Sequence, residues 1–531
     1  MMKTVFSIQR LAFSFLLLTL LASCAAPTPA PRENFAPFIL VTQDPNASPT
    51  PTPFQPSGAI NTPLATFTQA PPATATATIT QTPPPTNTAP PSPPTSDSVP
   101  PTLPSPSNSS RTNYILYSTL DFAGKTLTTE QTVRYYNNTG VALSEIVFSV
   151  QPNRYGNTFI LNSISQDGTA ITSYSLDGQR MTVTLPKPLQ AGIATTFALN
   201  FKLNIPQKSA DGVFGYDFNQ INLVDWYPFI VPYHGGWVLY DPMPWGEHLV
   251  YDASDIELNL KKDADVIIAA GATPDQNGEW QRYRMYGART FALSASNEFL
   301  VSEATTGNVV IRSYYFDGYQ TGGDGILSLG TQAIETFSAQ FAPYPHQTLA
   351  IVQTDLHDGM EYDGLVFLAT DFYSQYTGGS RGNLATIGVH EIAHQWWFGL
   401  VGSDHAIEPW LDEALAVYSE RIFYENNYPA NISWWWRYRV DYFDPTGYVD
   451  TSIYNGGSFR LYTDAVYLRG AHFLDDLRER MGYGNFSKFI KAYATRYSHG
   501  YATSADFFAL VRETINVDIS DLLEEYFAGS Y

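Results

Sequence analysis

The pattern of apolar residues changes character near residue 300, and that change limits the folds open to this chain. Before it, "NYILYSTLDF", "KTLTTEQTVRYYNN", "SEIVFSVQPNRY", "RMTVTLPKPL", "TTFALNFKL", "DIELNL", "DVIIAAG" and "RTFALSAS" alternate or are β-branched, and turn residues separate them. Short strands at that spacing predict a largely antiparallel β-domain. After it, "GILSLGTQAIETFSAQF" and then "LATIGVHEIAHQWWF", "PWLDEALAVYSERIFYEN", "AVYLRGAHFLDDLRERM", "NFSKFIKAYATRY" and "SADFFALVRETI" repeat at helical spacing. "TLAIVQT" and "LVFLAT" stand out as short buried strands. The expected fold is therefore α+β and multidomain, a β-domain over 111–300 followed by a mainly helical domain with a small sheet over 301–531. A chain of 531 residues exceeds one compact core, and no 20–50-residue repeat is visible.

The first 110 residues have a different texture. Lys3 and Arg10 precede the apolar run "LAFSFLLLTLLAS", which is too short to span a bilayer and reads as an export signal. It ends in "LASC", which looks like a bacterial lipobox. Cys24, the only cysteine in the chain, would then be diacylated and hold the protein at a membrane surface. A single cysteine excludes an intrachain disulfide or a thiolate metal site. Residues 25–110 hold 23 of the 37 prolines and only four charged residues, a composition that predicts an extended tether rather than a core. The expected location is the bacterial cell envelope, exported and lipid-anchored, with residues 1–24 as the signal. A formal net charge of -21 argues against a nucleic-acid partner, because a phosphate backbone would be repelled.

The stretch "GVHEIAHQWWFG" carries candidate chemistry. His390 and His394 lie four residues apart, one turn up the same helical face, where two imidazoles can reach one metal ion. Glu391 can reach a water bound to such a metal as general base. A third ligand is required, and "EPWLDEALAVYSE" offers Glu408, Asp412, Glu413 and Glu420. Glu413 sits mid-helix among apolar neighbours, where a carboxylate is costly unless it meets a cation. Glu408, at the helix start, is explained either as a cap or as a partner of a ligand histidine.

HEIAHQWWFG followed by WLDEA, with eighteen residues between His394 and Glu413, resembles the zinc aminopeptidases related to aminopeptidase N and leukotriene hydrolase, the gluzincins. The resemblance implies a thermolysin-like catalytic domain and one Zn2+ per chain, held by His390, His394 and Glu413, with Glu391 as general base. Asp412 and Ala414 replace the Asn and Gly of the family's WLNEG. The resemblance gives Glu408 a place in the shell around the ligand histidines. It also matches Gly359, Met360 and Glu361 of "DGMEYDGLVFL" to the family's Gly-x-Met-Glu-Asn strand, whose Glu binds the α-amino group of a peptide. Tyr362 stands in the Asn position. Tyr467 of "VYLRGA" matches the family's oxyanion-binding tyrosine, with Tyr462 a close competitor. The likeness runs from about 112 to 531. The 64 residues after Tyr467 are too few for the helical C-terminal domain of larger members, which predicts a less enclosed site. The implied activity is removal of the N-terminal residue from peptide substrates. Alternatives are a zinc endopeptidase or epoxide-type hydrolase on the same centre, and a tethered peptide-binding lipoprotein without catalysis.

Overall fold

The computed structural model describes residues 110–209 and 212–531; the expected export signal, Cys24 and the expected tether up to residue 109 lie outside them. Among the described residues no helix is long and apolar enough to cross a membrane.

The β-region is built on an eight-stranded sheet. Strands Asn113–Asp121 and Thr126–Tyr136 bury alternate residues, so Tyr114, Leu116, Leu127 and Val133 enter a core while their neighbours meet solvent. They pair antiparallel, as the alternation predicts. On its other side Asn113–Asp121 pairs parallel with Ser254–Lys261. A parallel pair needs a long crossover, and here the intervening β-structure supplies it, returning the chain to its starting edge. A four-stranded sheet containing Leu143–Ser149 and Arg180–Leu189 shares the same core, with Phe148 edge-on to Phe197 of the large sheet.

Leu300–Thr306 begins a five-stranded mixed sheet completed by Val309–Tyr315, Thr348–Thr354, Leu365–Ala369 and the edge strand Gly359–Tyr362. Thr348–Thr354 and Leu365–Ala369 are buried on both faces, which is why they read as continuous apolar runs. Leu349, Ile351, Val366 and Leu368 join the helical core. The residues between them, Ala350, Val352, Leu365 and Phe367, join the core of the β-region. This sheet is therefore the joint between the two halves. Hydrogen bonds from Gln220 to the Gln353 carbonyl (3.1 Å) and from Asn222 to Thr354 (2.9 Å) add to the joint.

Four helices frame the far side: α1 (Gln320–Gln340), α2 (Asn383–Ala393), α3 (Trp410–Asn427) and α4 (Arg469–Met481). α2 is buried from Leu384 to Ala393 and lies against the sheet, α1 and α3. After His394 it widens into a π-type turn, Gln395–Leu400, that redirects the chain toward α3. α3 and α4 approach closely because Gly470 lies against Ala414: a Cβ on Gly470 would come within 2.4 Å of the Ala414 methyl. That contact sets the tyrosines just before α4 beside the start of α3.

Candidate active site

His390 and His394 project from α2, and their Nε2 atoms lie 3.1 Å apart. Oε2 of Glu413, from α3, is 3.3 Å from the first and 3.6 Å from the second. It is buried and receives no hydrogen bond.

The other side of each ring explains this arrangement. Nδ1 of His390 faces Glu420 Oε1 at 3.1 Å, and Nδ1 of His394 faces Asp412 Oδ1 in a short contact. Ionised carboxylates only accept, so each Nδ1 carries the proton and each Nε2 turns a lone pair toward Glu413. Three buried lone-pair donors then converge with nothing of positive charge between them, which is costly unless a cation joins them. The donor set fits zinc: two imidazoles and one carboxylate, with carboxylates orienting the imidazoles.

The supporting carboxylates are themselves held. Glu420 accepts from Arg439 at 2.7 Å and from the Trp435 indole at 2.9 Å. Asp412 takes the Nδ1 of His405 on its other oxygen at 2.6 Å. Burial would raise the Asp412 carboxyl, but the contacts of His394 and His405 outweigh burial and lower it.

Glu408 does not take the position that the resemblance suggests. Its carboxylate accepts the Ser504 backbone N–H at 3.0 Å, at the start of the helix Ser504–Thr514. The histidine contact belongs to Asp412, on the next turn of α3. Nor does Glu408 cap α3, whose start has no side-chain cap; it ties that start to the helix Ser504–Thr514.

The trio opens onto a cavity of about 320 Å³ whose wall includes Gly359, Met360, Glu361, Glu391 and Tyr467. The Glu391 carboxylate packs directly over Gly359, where a Cβ would lie 2.3 Å from its Oε1. Glu361, Glu391 and His394 offer ligand atoms within 4.8 Å of one another, so both carboxylates stand beside the metal-binding trio. Burial pushes the Glu361 and Glu391 carboxyls well above the usual carboxylate range; the Glu247 charge raises Glu361 further, and the Glu361 charge raises Glu391. The Tyr467 ring stacks on His390 at 6.2 Å, and its hydroxyl hydrogen-bonds the Glu413 carboxylate. Tyr462 is fully buried, edge-on to Tyr467 at 5.8 Å, and does not line the cavity. Tyr362 turns into the core of the β-region, so it too is off the wall.

The sequence reading missed Glu247 and Asp358, both on the cavity wall. Glu247 arrives on a segment of the β-region tied to the helical half by three hydrogen bonds: Tyr240 to Asp404 (2.7 Å), Trp245 to the Ile453 carbonyl (3.0 Å), and Tyr454 to the Asp241 carbonyl (2.5 Å). Nothing in the local sequence signals that reach. Glu420 was a candidate ligand. Its distance of seven residues from Glu413, two turns along the same helix face, was the available signal for its supporting role.

Fold and site together give an N-terminal β-region followed by a helical domain whose donor set, two imidazoles and one carboxylate, fits zinc. Residues 327–526 match the Peptidase family M1 domain. That stretch takes in His390, His394, Glu413 and Tyr467. Aminopeptidase M1-C of Oryza sativa subsp. japonica is 25% identical over 246 residues, covering 43% of this chain and 27% of that protein. Aminopeptidase N of Streptomyces lividans is 26% identical over 212 residues, covering 37% of this chain and 25% of that protein. The chain thus spans about a quarter of the length of these curated relatives. The crystal structure of an M1 zinc metallopeptidase from Deinococcus radiodurans superposes with a TM-score of 0.56 at 15% identity, covering 79% of this chain and 97% of that one. A mutant of that protein bound to a Tyr-Ser-Ala substrate gives a TM-score of 0.58 at 17% identity, covering 79% and 95%. At this identity the likeness speaks for the fold.

Proposed function

We propose that the protein is a zinc-dependent aminopeptidase that removes the N-terminal residue of peptides. One observation carries the reading: Nε2 of His390, Nε2 of His394 and Oε2 of Glu413 converge, buried, with both imidazoles oriented from behind by carboxylates. These three residues would hold one zinc ion per chain, which would supply a Lewis acid to polarise a peptide carbonyl and acidify a water.

Glu391 takes a proton from the attacking water and returns it to the leaving amine. The Tyr467 hydroxyl donates to the oxygen that gains negative charge in the transition state. Glu361 pairs with the α-ammonium of the peptide, assisted by Glu247 across the cavity, and this fixes the cut one residue from the terminus. The edge strand Gly359–Tyr362 pairs on one side only, with Leu365–Ala369, and offers its other backbone edge to an extended peptide. The lipobox-like "LASC" supports attachment of the exported protein to the bacterial cell envelope through Cys24.

The test compares wild type and Glu391→Gln on alanyl anilide and its N-acetylated form. The variant keeps zinc by elemental analysis and loses about 10²–10⁴-fold in turnover. Acetylation abolishes cleavage by the wild type, because Glu361 then has no ammonium to bind. Wild-type turnover by the variant, or equal cleavage of the acetylated substrate, would contradict the reading.

A further inference from the structure

We propose that Asp358 forms a subsite for a cationic side chain on the second residue of the peptide, so that the protein favours substrates with lysine or arginine next to the residue released. The inference rests on the aminopeptidase reading and extends it to a substrate class.

Asp358 lies on the turn that enters the edge strand, buried, on the cavity wall. Its Oδ1 accepts the Gly359 N–H at 2.7 Å. Its Oδ2 is buried and receives no hydrogen bond. The cation whose charge acts on it is Arg439, and that guanidinium is engaged with Glu420 through Nε and Nη2. A buried carboxylate oxygen without a donor is unfavourable, and its residue belongs to the cavity wall. The mechanism above assigns Asp358 no task.

The wall fixes the direction of the substrate. It takes in Leu356 to Glu361 and stops before Tyr362, which is packed into the core of the β-region. A peptide with its amine at Glu361 must therefore run back along the edge strand toward Leu356. Glu361 and Asp358 are three positions apart, about 10 Å along an extended strand. A long side chain on the second residue spans the remainder of that distance.

Charge balance points the same way. Glu247, Asp358, Glu361, Glu391 and Glu413 all line the cavity, and among the described residues no lysine or arginine does. A lysine or arginine at the second residue brings a charge of the sign this wall favours and a donor for Oδ2.

The experiment uses zinc-loaded, full-length Glu391→Gln and measures calorimetric binding of the amidated peptides Ala-Lys-Ala, Ala-Met-Ala and Ala-Glu-Ala. The lysine peptide binds about tenfold more tightly than the methionine peptide, and the glutamate peptide binds most weakly. Adding Asp358→Asn, or Asp358→Ser should the first variant misfold, brings the lysine-to-methionine ratio to one. Equal binding of the lysine and methionine peptides, no binding of any, or a ratio unchanged by both substitutions overturns the subsite. Turnover by the wild type is read separately. Peptides bound with the lysine preference but never cleaved would refute the aminopeptidase reading and leave the subsite standing. Cleavage with equal kcat/KM for lysine and methionine refutes the subsite alone.

Discussion

Asp412 stands where the family has asparagine, and the difference alters the surroundings of His394. An asparagine side chain is neutral; Asp412 brings a buried charge and holds two imidazoles, His394 on one oxygen and His405 on the other. The second imidazole supplies a donor that a buried carboxylate needs. Removing such an orienting partner costs metal affinity, so Asp412→Ala weakens zinc binding by about 10–100-fold, measured by competition with a chelator. Glu408→Ala is the control. It loses the contact to the Ser504 N–H, costs about 1 kcal/mol in unfolding free energy and leaves zinc affinity unchanged. Equal zinc affinity in Asp412→Ala and wild type would remove Asp412 from this role. At this scale the convergence of His390, His394 and Glu413 is legible in the sequence, because helical spacing and one carboxylate among apolar neighbours are local signals, although Glu413 falls in the first turn of α3 and not mid-helix. Asp358 and Glu247 are not, because their positions depend on a turn and on a cross-domain segment that no periodicity reports.

Among the elements, the edge strand and α2 depend on each other most closely. Gly359 lets the strand backbone lie under Glu391, and the methyl of an alanine would occupy the position of the carboxylate. Gly359→Ala therefore displaces the proposed base. It lowers kcat on alanyl anilide by about a hundredfold with little change in melting temperature, the magnitude expected from a displacement of about 1 Å. An unchanged kcat would mean that Glu391 tolerates displacement and is not the base. The strands of this region were legible as uninterrupted apolar runs because both faces are covered. The parallel pairing of Asn113–Asp121 with Ser254–Lys261 was not, since alternation shows which face is buried and leaves the choice of neighbour open. The widened turn after His394 was equally hidden: "QWWFGL" contains nothing that stops a helix before Gly399, and the tertiary packing of Trp396 and Trp397 overrides its local preference.

On the scale of the molecule, the β-region and the helical half build the cavity together. The helices provide the metal-binding trio, Glu391 and Tyr467. The shared sheet provides Glu361 and Asp358, and the β-region contributes Glu247 on a segment stitched to Asp404, Ile453 and Tyr454. That segment forms part of the cavity wall. The two-part architecture was legible from the change in apolar period near residue 300, while this contact between the parts was not. The whole account depends on what joins His390, His394 and Glu413. X-ray absorption at the zinc K-edge of the purified protein measures it most directly. The account predicts one zinc per chain in a shell of nitrogen and oxygen at about 2.0–2.1 Å, with scattering from two imidazoles; a protein that purifies without zinc, or a zinc shell lacking imidazole, would contradict it.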